Sequence, residues 1–191
     1  MLLLETIKVE DRVLYNLPYH QARLERSHQA LYPYAKPIRL QTLLDNPPSK
    51  GLFRCRVLYG ATVEGVEYLP YQAKEIQRLT IVPSSLEYHH KYANRDALNS
   101  LKASQPQADE IIIEKEGYLT DTTISNIAFF DGSHWYTPHQ PLLRGTMREQ
   151  LLDKGFLLPK AIQTSDISHY THVALINAML GFKVIDIQSI Q

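Results

Sequence analysis

The sequence predicts an α+β protein of two domains that are divided near residues 83–88. Over residues 2–82, short apolar runs alternate with turn residues in the order strand, strand, helix, strand, strand, strand, which is typical of mainly antiparallel pairing. After Pro83 the composition changes, and helical and strand patterns alternate. Because 191 residues suffice for two small domains, we assign residues 1–85 to a small first domain and 86–191 to a larger second one.

The first domain opens with a β-hairpin and a helix. The apolar, β-branched run over 2–9 predicts a strand, Asp11-Arg12 a turn, and Val13-Leu14-Tyr15 the returning strand. Apolar residues recur at helical spacing from Tyr19 to Tyr32, and the prolines that follow end the helix. The later elements of this domain are a short helix over 40–44 and strands over 53–59, 66–69 and 78–82.

In the second domain, His90 to Ala103 predicts a helix with Ala97, Leu98 and Leu101 on one side. The Asp131-Gly132 pair is a strong hairpin signal before a strand over 134–136. The other elements of this domain are strands over 110–114, 118–120, 126–130, 173–176 and 184–187 and a helix over 145–154.

Composition and charge narrow the classes of function. Twenty basic residues balance twenty acidic ones, so the chain lacks the basic excess of a nucleic-acid-binding protein. No apolar run approaches the roughly 20 residues that span a membrane, and the N-terminus lacks the pattern of a signal peptide. Cys55, the single cysteine, lies in an alternating strand pattern and is expected to be buried in the core. A single cysteine without a disulfide partner fits a reducing compartment, the cytoplasm.

Three positions could support chemistry with an aldehyde cofactor. A buried lysine such as Lys91 can have a lowered pKa, and its neutral amine can then attack an aldehyde. Asp121 is a carboxylate that follows an apolar strand and a turn, and Gly145 precedes a helical pattern whose first N–H groups could donate to a phosphate. Each also has an ordinary structural interpretation: a surface lysine, a turn or capping residue, and a loop glycine.

The order of the motifs is more specific than any one of them. The segment 108–121 resembles the central signature of the class IV aminotransferases, in which an Asp-Glu pair, an apolar strand and a glycine turn lead to a carboxylate. The other matching segments are Leu4-Glu5-Thr6-Ile7, Asn16-Leu17, His20-Gln21-Ala22-Arg23-Leu24, Lys91-Tyr92-Ala93-Asn94, Ser125-Asn126-Ile127, Tyr136-Thr137-Pro138 and Gly145-Thr146-Met147-Arg148. Together they cover nearly the whole chain.

This resemblance implies the two-domain α/β fold of the D-amino acid aminotransferase type (fold type IV), with pyridoxal 5'-phosphate (PLP) in the cleft between the domains of a homodimer. Lys91 would be the catalytic lysine that carries the cofactor. The other cofactor-binding residues implied by position are Arg23 and the Gly145, Thr146 and Met147 turn for the phosphate, Asp121 for the pyridine nitrogen, and Arg95 near the ring oxygen.

Two departures from the family pattern bear on activity. The family usually has Glu at the position of Asp121, and Asp is shorter by one methylene group. The region before Lys91 is also shorter than in typical members, which leaves open a degenerate protein that binds PLP without turnover.

Two reactions remain open for an active member. Lys91-Tyr92-Ala93-Asn94-Arg95 and Met147 are similar to the forms found in 4-amino-4-deoxychorismate lyases, which release pyruvate and 4-aminobenzoate for folate synthesis. A branched-chain or D-amino acid transaminase is the alternative.

Candidate contacts to a small-molecule substrate lie in two places. Arg54 and Arg56 share one face of a predicted strand, which is either a cleft face or a solvated surface. Asn177 and Ala178 resemble the substrate-side loop of the family, although a plain turn would look the same. Adjacent His89 and His90 lack a third ligand in pattern, so no metal site is expected.

Overall fold

Residues 1–190 are described by a computed structural model, in which the chain divides into two compact units. The first unit comprises Met1–Ala73 together with His90–Asn94, and the second comprises Lys74–His89 and the chain from Arg95 onward. This division differs from the predicted boundary at residue 85, because two segments near it pair with distant strands.

The first unit is a four-stranded antiparallel sheet in the order β2-β1-β3-β4 with two helices. The predicted hairpin is confirmed, since Asp11 and Arg12 both have positive φ (47° and 70°), as a tight turn between β1 and β2 requires. Its elements are β1 Leu3–Glu10, β2 Val13–Leu14, α1 Leu17–Leu31, α2 Leu40–Leu43, β3 Leu52–Tyr59 and β4 Val63–Pro70.

Alternation along β1 and β3 gives the sheet one buried and one outer face. Ile7 and Val9 of β1 and Cys55 and Val57 of β3 are fully buried in a core that also includes Leu24 of α1. The prediction that Cys55 is a core residue of a strand is confirmed. Burial raises the pKa of its thiol to about 11, which keeps the thiol protonated and inert.

The segment 90–94 returns to the first unit by pairing with β1. Leu4 N–H donates to the carbonyl of Lys91 (2.9 Å), and Ala93 N–H donates to the carbonyl of Leu2 (2.9 Å). Leu3 and Tyr92 form the antiparallel bridge between these bonds, and Tyr92 packs against the core. The helix that we predicted from His90 is therefore wrong at its start: the helix begins at Asp96, and Lys91 lies in an extended segment.

The second unit contains an eight-stranded mixed sheet. Six strands follow the order β10-β9-β8-β7-β6-β5, and β11 pairs with both β8 and β12. Its elements are β5 Leu79–Pro83, α3 Asp96–Ala103, β6 Glu110–Lys115, β7 Tyr118–Thr122, β8 Asn126–Phe130, β9 Trp135–Pro138, α4 Thr146–Asp153, β10 Leu157–Lys160, β11 His172–Asn177 and β12 Gly181–Asp186, with 3-10 turns at Thr164–His169 and Ile187–Ser189.

The pairing of β5 explains why the second unit begins before residue 85. Strand β5 pairs in parallel with β6, whose three isoleucines are fully buried, so β5 belongs to this sheet. Parallel pairing also joins β10 to β9, and this short strand was not predicted because its sequence, Leu-Leu-Pro-Lys, lacks a strand pattern.

No helix among residues 1–190 is long and apolar enough to cross a membrane.

Candidate active site

In the first unit, a buried ionic cluster lies between β1 and α1. Glu5 points into the core from β1 and is fully buried, and His20 and Arg23 reach it from one face of α1. Arg23 donates from Nε to Glu5 Oε1 (2.8 Å) and from Nη2 to Glu5 Oε2 (2.6 Å). His20 Nδ1 lies 2.6 Å from Glu5 Oε2 and must carry the proton that this bond requires, since a carboxylate only accepts.

The electrostatics of this cluster fix its charges at neutral pH. Burial alone would raise the pKa of Glu5, but the charge of Arg23 and the hydrogen bonds from His20 and Arg23 lower it to about 2. Burial lowers the pKa of His20, and the charges of Arg23 and Lys91 add to this effect against the opposing pull of Glu5. Glu5 is therefore ionised beside a neutral imidazole, and two cations act on that imidazole.

A second contact fixes the backbone next to Lys91. His90 Nδ1 lies 3.1 Å from Ser27 Oγ on α1, and the ring of His90 packs edge-on against Tyr92. With the backbone bonds of Lys91 to β1, these contacts hold the lysine beside the same helix that carries Arg23. Lys91 is half-buried and Arg23 is 7% exposed.

The two strand arginines differ in their surroundings. Arg56 pairs with the exposed Glu67 (3.0 Å) across β3 and β4. Arg54 is half-buried, and its Nε has no hydrogen-bond partner among residues 1–190. The register places Arg54 opposite Lys8 and Arg56 opposite Thr6, on the face of the sheet away from the core. Arg54 is therefore the arginine with unused hydrogen-bonding capacity on this face.

In the second unit, Asp121 is a buried strand residue rather than a turn residue. It lies in β7, is 4% exposed, and pairs in register with Asn126 of β8. Its Oδ1 accepts from Asn126 Nδ2 (2.7 Å), and its Oδ2 accepts from Leu143 N–H (2.8 Å). Burial raises the pKa of Asp121 to about 7, although these hydrogen bonds and the charge of Arg148 act in the opposite direction.

The turn that contacts Asp121 leads into helix α4. Gly145 caps the helix, and Thr146 and Met147 are its first two residues. The first N–H groups of an α-helix have no acceptor within the helix, and this end carries the positive pole of the helix dipole. Arg148 anchors the helix to β9 by donating from Nη2 to the Pro138 carbonyl (2.8 Å).

Arg95 and Asn177 both contact the loop that joins β7 to β8. Arg95 Nη2 donates to the Thr123 carbonyl (2.8 Å). Asn177 Nδ2 donates to Ser125 Oγ (2.9 Å), and its Oδ1 accepts from the N–H groups at 179 and 180. The side chain of Asn177 thus holds a turn, so a ligand there would meet backbone groups near the half-buried Ala178.

The structure brings the predicted residues together in two groups. Arg23 and Lys91 lie with Arg54 and Arg56 in the first unit; the second unit carries the remaining candidates, which are Arg95, Asp121, Gly145, Thr146, Met147, Asn177 and Ala178. Among residues 1–190, no group of three or more His, Cys, Asp and Glu side chains could hold a metal ion.

Sequence reasoning assigned no role to Glu5, His20 or Asn126. All three stand in the segments that resemble the family, and that position was the available signal. Glu5 contacts His20 and Arg23, which lie 15 and 18 positions later in the chain. Asn126 lies five positions after Asp121 and reaches it through the pairing of β7 with β8, which no local pattern reveals.

Comparison with known sequences identifies the family. The profile of amino-transferase class IV matches residues 2–190. The chain belongs to this family. Class IV aminotransferases typically bind PLP, and the two-sheet architecture described above is their fold type IV fold. The predicted family and fold are both confirmed.

Two relatives from Haemophilus are similar over almost their entire length, and a third relative is similar over about 71% of its length. An uncharacterized protein of Haemophilus influenzae is 38% identical over 184 residues, which are 94% of this chain and 98% of the relative. The crystal structure of a protein from Haemophilus somnus 129PT, provisionally named 4-amino-4-deoxychorismate lyase, has a TM-score of 0.88 at 34% identity and covers 94% of this chain and 97% of that one. A Schizosaccharomyces pombe protein, provisionally named aminodeoxychorismate lyase, is 29% identical over 76% of this chain and 71% of its own. The two Haemophilus proteins are therefore about as long as this chain.

Proposed function

We propose that this chain is a PLP-dependent enzyme in which Lys91 carries the cofactor. The observation that carries the proposal is the backbone pairing of Lys91 with Leu4 of β1 (2.9 Å), next to Glu5, whose carboxylate holds Arg23 (2.8 and 2.6 Å). PLP has an aldehyde and a phosphate, and a lysine and an arginine are the side chains that bind these two groups. Glu5 offsets one of the two positive charges, so the cluster still favours an anion.

The donor set of the second unit also fits PLP. A buried carboxylate such as Asp121 is suited to a protonated pyridine nitrogen, which makes the ring an electron sink when the cofactor is bound. The N–H groups of Thr146 and Met147 at the start of α4 are suited to a phosphate. Arg95, held on the Thr123 carbonyl, is assigned to the ring oxygen.

The reaction that we propose is that of a 4-amino-4-deoxychorismate lyase. Lys91 is the base that would move the proton at Cα of the substrate, and the products would be pyruvate and 4-aminobenzoate. Two features support this reaction over transamination: the Lys91-Tyr92-Ala93-Asn94-Arg95 segment with Met147, and the provisional names of two relatives.

Recognition of the substrate carboxylates is assigned first to Arg54. A buried Nε without a partner is costly, and an anionic ligand would satisfy it. We expect Arg54→Ala to raise KM by roughly tenfold with little change in kcat, which corresponds to the loss of one charged hydrogen bond. Arg56→Ala is the matched control, because Arg56 already pairs with Glu67. Equal effects of the two substitutions would remove Arg54 from the substrate site.

The test of the cofactor comes first. PLP is added to the wild type, to Lys91→Ala and to the control Lys154→Ala, in which an exposed lysine is removed. After dialysis, an absorption band at roughly 400–430 nm should persist in the wild type and in the control and be absent from Lys91→Ala. A wild type without the band would end the enzyme proposal.

Product analysis then decides the reaction. The loaded protein is incubated with 4-amino-4-deoxychorismate, and separately with branched-chain or D-amino acids and a keto acid. Formation of pyruvate and 4-aminobenzoate supports the lyase, whereas transfer of the amino group to the keto acid identifies a transaminase. A stable band without either product identifies a protein that binds PLP without turnover.

We also propose that the protein is a homodimer in the cytoplasm, as the family resemblance suggests. Light scattering after size-exclusion chromatography, with and without PLP, measures the first point directly. A mass near the 22.0 kDa of one chain under both conditions would contradict it.

A further inference from the structure

Three hydrogen bonds join Asp121, Asn126 and Leu143 in a closed circuit. Asn126 Nδ2 donates to Asp121 Oδ1 (2.7 Å) and to the Leu143 carbonyl (2.8 Å), and Leu143 N–H donates back to Asp121 Oδ2 (2.8 Å). Each carboxylate oxygen therefore has a donor, and both amide protons of Asn126 have acceptors. The orientation of the amide is fixed by Leu143, because a backbone carbonyl can only accept and must therefore face the Nδ2 group.

Backbone and side-chain packing leave this circuit little freedom. Asn126 is 6% exposed, pairs with Asp121 on one side, and pairs with Ile176 of β11 on the other. A Cβ atom on Gly145 would lie 1.9 Å from Asn126 Oδ1, so the turn before α4 passes directly against the amide. Glycine is required there for space, since the φ of −71° at Gly145 is one that any residue adopts.

We propose that Asn126 is a positioning residue that holds the Asp121 carboxylate and the turn leading into α4 as one rigid element. The proposal rests on the proposed function, in which Asp121 faces the pyridine nitrogen and the start of α4 binds the phosphate. Asn126 then acts on the cofactor at both points without contacting it. Asp is shorter by one methylene group than the Glu that the family usually has at this position. A carboxylate that is held by hydrogen bonds cannot move to make up this difference, so its placement depends on Asn126.

The charged groups near Asp121 stay the same in an Asn126 variant, so the effect of Asn126 on the titration of Asp121 can be measured. Arg148 of α4 is the cation whose charge acts on Asp121, and Glu149 pairs with Arg148 through Nη1 (2.9 Å). Neither residue is altered when Asn126 is replaced. A change in the titration of Asp121 in an Asn126 variant would therefore report the lost amide hydrogen bond.

The first experiment uses the full chain without cofactor. The carboxyl carbons of aspartate are labelled with 13C, and the Asp121 signal is assigned from its absence in Asp121→Asn. In Asn126→Ala, the acid dissociation constant of Asp121 should fall by roughly tenfold or more, because the ionised form loses a hydrogen bond. The matched control is Asn177→Ala, which removes another amide clamp of the same sheet and should leave Asp121 unchanged. An unchanged constant in Asn126→Ala would overturn the proposal.

The second experiment measures affinity for PLP and for pyridoxal, which lacks the phosphate. Asn126→Ala should weaken both, by roughly tenfold for pyridoxal and by more for PLP, because the turn before the phosphate-binding end of α4 is also released. A purely structural role for Asn126 predicts a lower Tm with wild-type affinities for both compounds, and this result would overturn the proposal. If Asn126→Ala does not fold, Asn126→Ser is used, whose shorter hydroxyl cannot bridge both acceptors.

These experiments separate the two proposals. If the wild type binds neither PLP nor pyridoxal, the proposed function fails. The titration of Asp121 still decides whether Asn126 controls that carboxylate.

Discussion

Arg23 and Glu5 form a bidentate ion pair within the first unit, with nitrogen–oxygen distances of 2.8 and 2.6 Å. Both are almost fully buried, and the pairing allows a guanidinium to remain charged inside an apolar core. The pair uses Nε and Nη2 of Arg23, and a planar guanidinium matches the geometry of carboxylate and phosphate groups. Glu5 therefore holds the arginine that we assign to the cofactor phosphate.

Replacement of Glu5 by Gln should be strongly destabilising. The substitution leaves a buried guanidinium without its counter-charge, which costs about 3–5 kcal/mol of unfolding free energy. Glu25→Gln is the control, since Glu25 lies on α1 and pairs with Arg39 at the surface, where such a pair contributes at most about 1 kcal/mol. Urea denaturation measures both, and similar losses would show that the Glu5 pair does not stabilise the core.

Arg23 should discriminate between phosphorylated and unphosphorylated cofactor. Arg23→Lys keeps the positive charge beside Glu5 but loses the bidentate geometry, so PLP affinity should fall roughly tenfold while pyridoxal affinity stays unchanged. Arg26→Lys, on the exposed side of α1, should change neither affinity. Equal losses for the two compounds would place the phosphate elsewhere.

Asp121 should make stability depend on pH. Its pKa is raised from 3.8 to about 7, so the native state keeps a proton that the unfolded chain has already released. Stability should therefore fall as pH rises from about 4 to 7, by up to about 4 kcal/mol at about 1.4 kcal/mol per pKa unit. In Asp121→Asn this loss should disappear.

Asp131→Asn provides the comparison for that measurement. Hydrogen bonds from the N–H groups of His134 and Ser133 lower the pKa of Asp131 to about 2, so its contribution is constant above pH 5. Thermal unfolding at pH 5 and pH 8 should give a smaller difference in Asp121→Asn than in the wild type or Asp131→Asn. An equal difference in all three proteins would show that Asp121 does not titrate in this range.

Gly145 and Asn126 should be coupled energetically. The Cβ of Gly145→Ala would collide with Asn126 Oδ1, at a cost of about 1–3 kcal/mol. Gly65→Ala is the control, because no atom lies within 4 Å of a Cβ at that position. Since Asn126→Ala removes the colliding atom, the double variant with Gly145→Ala should lose less stability than the two single variants together. Strict additivity would contradict the contact.

Local patterns predicted most strands of both units. Alternation along β1 and β3 and the Asp11-Arg12 turn are local signals, and the structure confirms them. The segment 90–94 could not be predicted in this way, because its extended form depends on hydrogen bonds to Leu2 and Leu4, which lie far earlier in the chain.

The candidate site was predictable only as a set of positions. The resemblance to class IV aminotransferases pointed to Asp121, but its bond to Asn126 results from sheet pairing, and its bond to Leu143 from the path of the loop before α4. Likewise, Arg23 was recognised by its motif, whereas the burial of Glu5 and His20 beside it depends on the packing of α1 on β1. Energetic roles of this kind are properties of the folded chain.

The pairing of residues 90–94 with β1 has a consequence for biosynthesis. A ribosome releases Met1–Ala73 well before it releases Lys91. The edge of β1 on which Leu3 pairs with Tyr92 therefore stays exposed while the intervening chain is made. The first unit is a discontinuous folding unit, and a fragment that ends at residue 85 would present this open edge to other chains. Limited proteolysis of stalled nascent chains should show protection of the first unit only after residue 94 has left the exit tunnel.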